Sequence, residues 1–225
     1  MSARQVTGRA TRTLATLALA AAVASCDAPT ASRPDFAFDP TTLSEGRLYR
    51  WRSGQQVRVW VDGTGQTALF DLPRAVRQAV SAWNVQPRFA EFELSVTVNA
   101  SEAQVLVFER SQPVPVVPGS CAFEPRATVG YTYFCGRGAR AERLALASGS
   151  AGVASVVIRI DRSLLNMPAG LEAIVAHEFG HALGVGGHSG DAGDLMFGLP
   201  RVSTPSARDS RTLQYVLGAP ADVLL

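Results

Sequence analysis

Residues 177–197 read HEFGHALGVGGHSGDAGDLMF and contain all three histidines of the chain. His177 and His181 are four residues apart, so on a helix they project from the same face, one turn apart. Gly184 lets the chain leave such a helix and turn back, which brings His188 round to the same point. Because imidazole is the commonest protein ligand for zinc, the segment predicts a zinc site made by these three histidines.

Glu178 follows the first histidine directly, where its carboxylate can reach a water molecule at the fourth zinc position without binding the metal. Zinc lowers the pKa of such a water from ~15.7 toward ~7 and polarises a substrate carbonyl. We expect Glu178 to accept the proton of this water and later to deliver a proton to a leaving amine. The sequence shows no partner that would give Glu178 a structural role instead, so the pattern indicates a metal-assisted hydrolase.

The segment resembles the zinc signature of the metzincin clan of metallopeptidases, and most of all its matrixin-type branch. In that family HExxHxxGxxH is followed by a serine and then by a methionine in a tight turn beneath the metal. Here Ser189 follows His188, and Met196 stands at the turn position. HExxH alone could mark an ordinary amphipathic helix, and Met196 could be an ordinary core residue. The combined pattern favours the zinc signature over both alternatives.

One departure from the family pattern is an extra residue before the third histidine. Three residues separate Gly184 from His188 where the family has two, so the chain carries HExxHxxGxxxH. Gly187 occupies the standard ligand position and has no side chain with which to bind a metal. We interpret the motif as a one-residue insertion variant, in which the flexible Gly186-Gly187 pair absorbs the extra residue and His188 remains the third ligand.

The resemblance implies an α+β fold, a metzincin-like zincin domain in which a twisted mixed β-sheet packs on helices and the zinc helix lies below the cleft. Apolar periodicity predicts elements in a compatible order. These are strands at 56–61, 92–98, 104–108, 127–134 and 155–160, a helix at 72–83 after a possible N-cap at Asp71, the zinc helix at 171–183, and a last helix from Ser206 and Asp209 to Leu217. Asp191 and Asp194 fit two roles equally, support of the metal site or local turn formation.

The amino terminus predicts export. Three arginines precede a short apolar run at 14–23, which is too short to span a bilayer and is typical of a signal peptide. The run ends in Val-Ala-Ser-Cys at 23–26, which resembles the lipobox of bacterial lipoproteins, where Cys26 becomes the lipid-bearing first residue. An ordinary secretory signal is the alternative. We expect a lipoprotein signal at 1–25, a flexible tether at 26–45 and the catalytic domain at 46–225.

Cys121 and Cys135 remain once Cys26 is assigned to lipid. An even pair of cysteines in an exported chain favours a disulfide bond, worth about 3 kcal/mol in the loop-entropy model. The alternatives are two free thiols or two zinc ligands, although no histidine or further cysteine is available to complete a structural zinc site.

Charge argues against a nucleic-acid partner. All 21 basic residues are arginines, three of them in the signal segment, and all 19 acidic residues lie after it, so residues 26–225 carry a formal charge of −1. No basic stripe is present. The expected partners are a polypeptide substrate, aligned along an edge strand at 127–134 in the way the resemblance implies, and a membrane reached through the lipid. We expect a monomer.

The resulting hypothesis is a matrixin-like zinc endopeptidase, anchored by lipid at the bacterial cell envelope, with one catalytic zinc; structural calcium stays open. A catalytically weak, zinc-stabilised binding or adhesion lipoprotein is the main alternative. The inserted residue and the absence of a tyrosine that the family carries after the turn methionine motivate it, and Glu178 argues against it. A zinc hydrolase acting on a non-peptide amide is a third possibility.

Overall fold

The protein is described here by a computed structural model that covers residues 36–85, 92–112, 129–134, 156–164 and 170–225. The signal segment 1–25, Cys26, Cys121 and Cys135 lie outside these ranges, so the lipid and disulfide predictions stay predictions. The helices and strands are β1 (Tyr49–Arg50), β2 (Gln55–Val61), α1 (Leu72–Asn84), β3 (Phe92–Val96), β4 (Val105–Glu109), β5 (Gly130–Phe134), β6 (Val156–Ile160), α2 (Gly170–Ala182), α3 (Ala207–Gly218) and β7 (Val223–Leu224).

Five of the strands form one mixed sheet in the order β3-β2-β4-β6-β5. Neighbours are parallel except β5, which runs antiparallel to β6 with Gly130 opposite Ile160 and Phe134 opposite Val156. The inner strands β4 and β6 are almost completely buried, and their β-branched residues suit a strand covered on both faces. Among the described residues β5 comes last in the strand order, and the predicted edge position of 127–134 stays a prediction.

Two helices pack together on one face of the sheet and place the histidine motif. α1 begins after Asp71, whose carboxylate accepts the Arg74 backbone N–H at 2.9 Å, so the predicted N-cap is confirmed. The indole N–H of Trp83, at the end of α1, donates to the Ala176 carbonyl of α2 at 2.8 Å. Trp51 donates in the same way to the Ala182 carbonyl at 2.9 Å. Two buried indoles therefore fix the position of α2 along its length.

The last helix, α3, begins in a capping box. The Ser206 hydroxyl accepts the backbone N–H of Asp209, and the Asp209 carboxylate accepts the backbone N–H of Ser206 at 2.8 Å. The predicted start of this helix is confirmed. The Asp209 carboxylate also has a second set of partners in the histidine segment, described below.

Residues 36–47, which precede β1, lie against the histidine segment and α3. The Ala37 N–H donates to the Thr212 hydroxyl at 3.2 Å, and the Leu43 N–H donates to the Gly186 carbonyl at 2.6 Å. Residues 36–45 are the described part of the expected tether, and they bring backbone into contact with the loop that carries the inserted residue.

The α+β class and the mixed sheet are confirmed, with four parallel strands and one antiparallel strand. Within the described residues, no helix combines the length and apolar character that crossing a bilayer would require.

Candidate metal centre

The three histidines converge, as the sequence predicts. The Nε2 atoms of His177 and His181 are 3.1 Å apart, and those of His177 and His188 are 3.3 Å apart. One ring nitrogen from each histidine lies within 4.8 Å of the other two, so the group could hold a metal ion. Tetrahedral coordination at about 2.0–2.1 Å separates two ligand nitrogens by about 3.3 Å, which matches these spacings.

Backbone carbonyls fix which nitrogen of two imidazoles faces the centre. His177 Nδ1 lies 2.8 Å from the Leu195 carbonyl, and His181 Nδ1 lies 2.7 Å from the Val185 carbonyl. A carbonyl oxygen can only accept, so both Nδ1 atoms carry the proton and both Nε2 atoms present lone pairs. Two lone pairs 3.1 Å apart repel unless a cation lies between them. The donor set therefore fits a metal ion.

Burial keeps these ligands neutral. It lowers the pKa of His177 to about 4, lowers that of His181 well below its ordinary value, and lowers that of the more exposed His188 from its ordinary value. Metal binding requires the neutral imidazole, so no ligand has to lose a proton near neutral pH. His177 is buried, His181 is half-buried and His188 is exposed, which means that the centre opens to solvent on the side of His188.

Gly184 ends the helix in the way the sequence predicts and also orients a ligand. It has a φ of 102°, a region that glycine adopts readily. Its N–H donates to the His181 carbonyl and the Val185 N–H donates to the Gly180 carbonyl at 3.0 Å, which is a Schellman motif. The motif places the Val185 carbonyl on His181 Nδ1. A Cβ at Gly184 would overlap the Tyr49 carbonyl oxygen, so the turn also requires glycine for packing.

The inserted residue is accommodated by close backbone packing. A Cβ on Gly187 would overlap the carbonyl oxygen of Asp39, and a Cβ on Gly186 would come within 2.8 Å of the Ser44 hydroxyl. Residues 39–44 therefore lie directly on the glycine pair, and the Leu43 N–H hydrogen bond joins the two segments. The glycine pair was expected to be flexible, but it is packed tightly against residues 39–44. This packing holds the loop that carries His188.

We expect Gly187→Ala to destabilise the protein by about 3 kcal/mol or more, the upper part of the usual cost of overpacking, because the added methyl group meets backbone and not a movable side chain. The loop would shift, His188 would move with it, and metal affinity would fall. Thermal unfolding and metal titration measure both effects. Gly190→Ala is the matched control, since a Cβ there has nothing within 4 Å. Equal behaviour of the two variants would contradict the packing role of Gly187.

Met196 lies directly against α2. It is fully buried, and a Cβ on Gly180 would overlap its sulfur atom. Gly180 stands between the two helical histidines, so the absence of its side chain lets the methionine reach the helix backbone beneath them. The segment is closed by the Ser189 N–H, which donates to the Met196 carbonyl at 2.8 Å. Met196 therefore packs against the helix that carries His177 and His181, and its role as the turn methionine beneath a metal stays a prediction.

Asp209 holds the same turn from α3. Its buried carboxylate accepts the N–H groups of Leu195 at 2.8 Å and Met196 at 3.1 Å. The Leu195 carbonyl in turn binds His177 Nδ1, so one peptide unit links the aspartate to a ligand. Burial raises the pKa of Asp209, whereas its backbone hydrogen bonds act in the opposite direction.

The two aspartates of the histidine segment have different roles. Asp194 is buried and accepts hydrogen bonds from Ser189, from Ser206 at 2.6 Å and from the Arg208 guanidinium at 2.9 Å. It therefore braces the segment against α3. Asp191 is exposed, and its carboxylate accepts the Gly193 N–H at 2.9 Å, as a turn residue does. The Nδ1 atoms of His177 and His181 bind carbonyls, so neither aspartate supports these two ligands directly.

Glu178 has a partner that the sequence did not reveal. The Thr132 hydroxyl of β5 lies 2.6 Å from Glu178 Oε2 and 3.0 Å from the Glu178 carbonyl oxygen. Sequence reasoning did not find this contact because it joins residues 46 positions apart. Burial raises the pKa of Glu178 to about 7, and the Thr132 hydrogen bond opposes this shift. A cation bound by the neighbouring histidines would lower it.

Sequence reasoning missed four residues of the site: Gly130, Thr132, Gly180 and Asp209 in its role beneath the turn. Gly180 alone carried a local signal, since a glycine inside a helix costs about 1 kcal/mol relative to alanine and so suggests a close approach. The others depend on contacts between distant parts of the chain.

Comparison of the chain with models of known protein families gave no match. Comparison with curated proteins gave no match either.

Proposed function

We propose that this chain is a zinc-dependent endopeptidase of matrixin-like type that acts outside the cytoplasm. The observation that carries the proposal is the convergence of three imidazoles beside a buried glutamate, with the protons of His177 and His181 directed away from the centre. The resemblance of residues 177–197 to the matrixin signature supplies the identity of the metal and the reaction class. Zinc, when bound by His177, His181 and His188, would supply a Lewis acid that acidifies water and polarises a peptide carbonyl.

The chain's own residues would act on protons and position. Glu178 would take the proton that the attacking water loses and pass it to the leaving nitrogen. The carbonyls of Leu195 and Val185 would keep two imidazoles in the tautomer that binds metal. Met196 would support the helix from below. The substrate would lie extended along the 127–134 segment, as the resemblance implies, and the contact of Thr132 with Glu178 would bring that segment close to the base.

A peptide library tests the proposal. The protein without its signal and lipid-bearing cysteine, residues 27–225, should cleave fluorogenic peptides when loaded with zinc, and a chelator should abolish the cleavage. Restored activity on addition of zinc is expected. A protein that holds stoichiometric zinc and cleaves no member of a broad library would refute the peptidase and favour a zinc-stabilised binding lipoprotein.

We further propose that the chain is anchored by lipid at Cys26. The full-length protein, expressed in a bacterium, should partition with detergent-extracted membranes and incorporate labelled fatty acid, and Cys26→Ser should abolish the label. A wild-type protein found unlabelled in the periplasm or medium would show that the signal is an ordinary secretory one.

A further inference from the structure

Two residues of β5 face the same part of α2. Gly130 and Thr132 are two positions apart in a strand, so they share one face of the sheet. Both contact Glu178. The hydroxyl of Thr132 lies 2.6 Å from Oε2, within the short range of a hydrogen bond to a carboxylate, and 3.0 Å from the backbone carbonyl of the same residue.

Gly130 borders the other carboxylate oxygen. A Cβ on Gly130 would lie 2.5 Å from Glu178 Oε1, 2.8 Å from its Cγ and 2.9 Å from its Cδ. The glutamate side chain therefore occupies the space beside Gly130 that a Cβ would fill, and any side chain at this position would displace it. The Thr132 hydroxyl binds Oε2, and Oε1 lies in the space that Gly130 leaves by having no side chain.

We propose that Thr132 and Gly130 are positioning residues for Glu178, which together hold its carboxylate in one rotamer. The proposal rests on the proposed function in assigning Glu178 the role of base. A glutamate side chain has three rotatable bonds, and a catalytic group has to be held within about 0.5 Å of its working position. The hydroxyl of Thr132 orients the Glu178 carboxylate through a hydrogen bond, and Gly130 leaves the space that the carboxylate occupies. The β-branched side chain of threonine is itself stiff at χ1, so the donor is fixed before it binds.

The first test uses three variants of the zinc-loaded protein. Thr132→Val keeps the shape and removes the hydroxyl, so kcat should fall about 10- to 100-fold while KM changes less than about twofold and zinc content stays the same. Thr132→Ser keeps the hydroxyl and should recover most of the loss. Gly130→Ala should also lower kcat by displacing the carboxylate. A Thr132→Val variant with unchanged kcat, or a Thr132→Ser variant as slow as Thr132→Val, would overturn the proposal.

The second test does not depend on activity. Unfolding of Thr132→Val, Glu178→Ala and the double variant forms a cycle that measures the contact itself. We expect the two substitutions to be non-additive, with a coupling of about tenfold in the unfolding equilibrium constant. Strict additivity would overturn the proposal even if the protein were an active peptidase. A wild-type protein that cleaves no peptide would refute the proposed function, and the cycle alone would then decide the contact.

Discussion

Glu178→Gln should lose peptide hydrolysis by more than the ~10²–10⁴-fold that general acid–base help alone contributes, because the base and the proton donor are lost together. The amide of glutamine has nearly the shape of the carboxylate and can still accept the Thr132 hydrogen bond, so the fold should be kept. Zinc content should hardly change, since the carboxylate is not part of the histidine group. Single-turnover cleavage of a fluorogenic peptide, together with metal analysis, measures both quantities.

Glu172→Gln is the matched control for this prediction. Glu172 lies on the same helix and pairs with Arg74 at the protein surface, away from the histidine group. An exposed ion pair contributes little to stability, so this variant should cleave peptide at the wild-type rate. Equal activity of the Glu178→Gln variant and the wild type would contradict the role of base and leave the binding-lipoprotein alternative.

Local signals predicted most of the elements. The apolar period of four residues in α1, the β-branched run of β6 and the start of α3 at Ser206 and Asp209 each depend on neighbours in sequence, and the predicted ends of each lie within one residue of the observed ones. The histidine group was predictable for the same reason. Its two helical members are one turn apart, and Gly184 marks the point at which the chain reverses.

The supporting contacts were not predictable, because they join segments far apart in the chain. Thr132 reaches Glu178 across 46 positions, and Leu43 reaches Gly186 from the other end of the domain. The spacing of apolar residues along the chain carries no information about such long-range hydrogen bonds. The order of strands in the sheet was unpredictable for the same reason, since β2 lies between β3 and β4 and not beside β1. A sequence specifies these neighbours only through the packing of the complete fold.

The inserted residue illustrates the difference. Sequence reasoning treated Gly186-Gly187 as a flexible pair that absorbs one extra position. In the structure the pair needs glycine because Asp39 and Ser44 press against it, and the insertion still delivers His188 to the other two imidazoles. Small size and not flexibility is therefore the property that the site uses at these two positions.

His188→Ala should remove most of the zinc affinity and all measurable peptidase activity. Two imidazoles cannot replace the three nitrogen ligands that a catalytic zinc requires, so the loss should exceed the ~10–100-fold that follows removal of a partner outside the ligand set. Because His188 is exposed, its truncation leaves no buried cavity, and the zinc-free melting temperature should stay close to that of the zinc-free wild type. Competition with a coloured chelator measures affinity, and calorimetry measures melting.

The control for this variant is Asp191→Ala, an exposed position three residues further along the same segment. Its carboxylate accepts the Gly193 N–H, so its loss should cost at most about 1 kcal/mol of stability and leave zinc bound. Unchanged zinc in the His188→Ala protein would show that the loop with the extra residue does not supply the third ligand. The peptidase proposal would then fail at its metal, because His177 and His181 alone would leave the ion without the coordination on which the whole geometry of the centre depends.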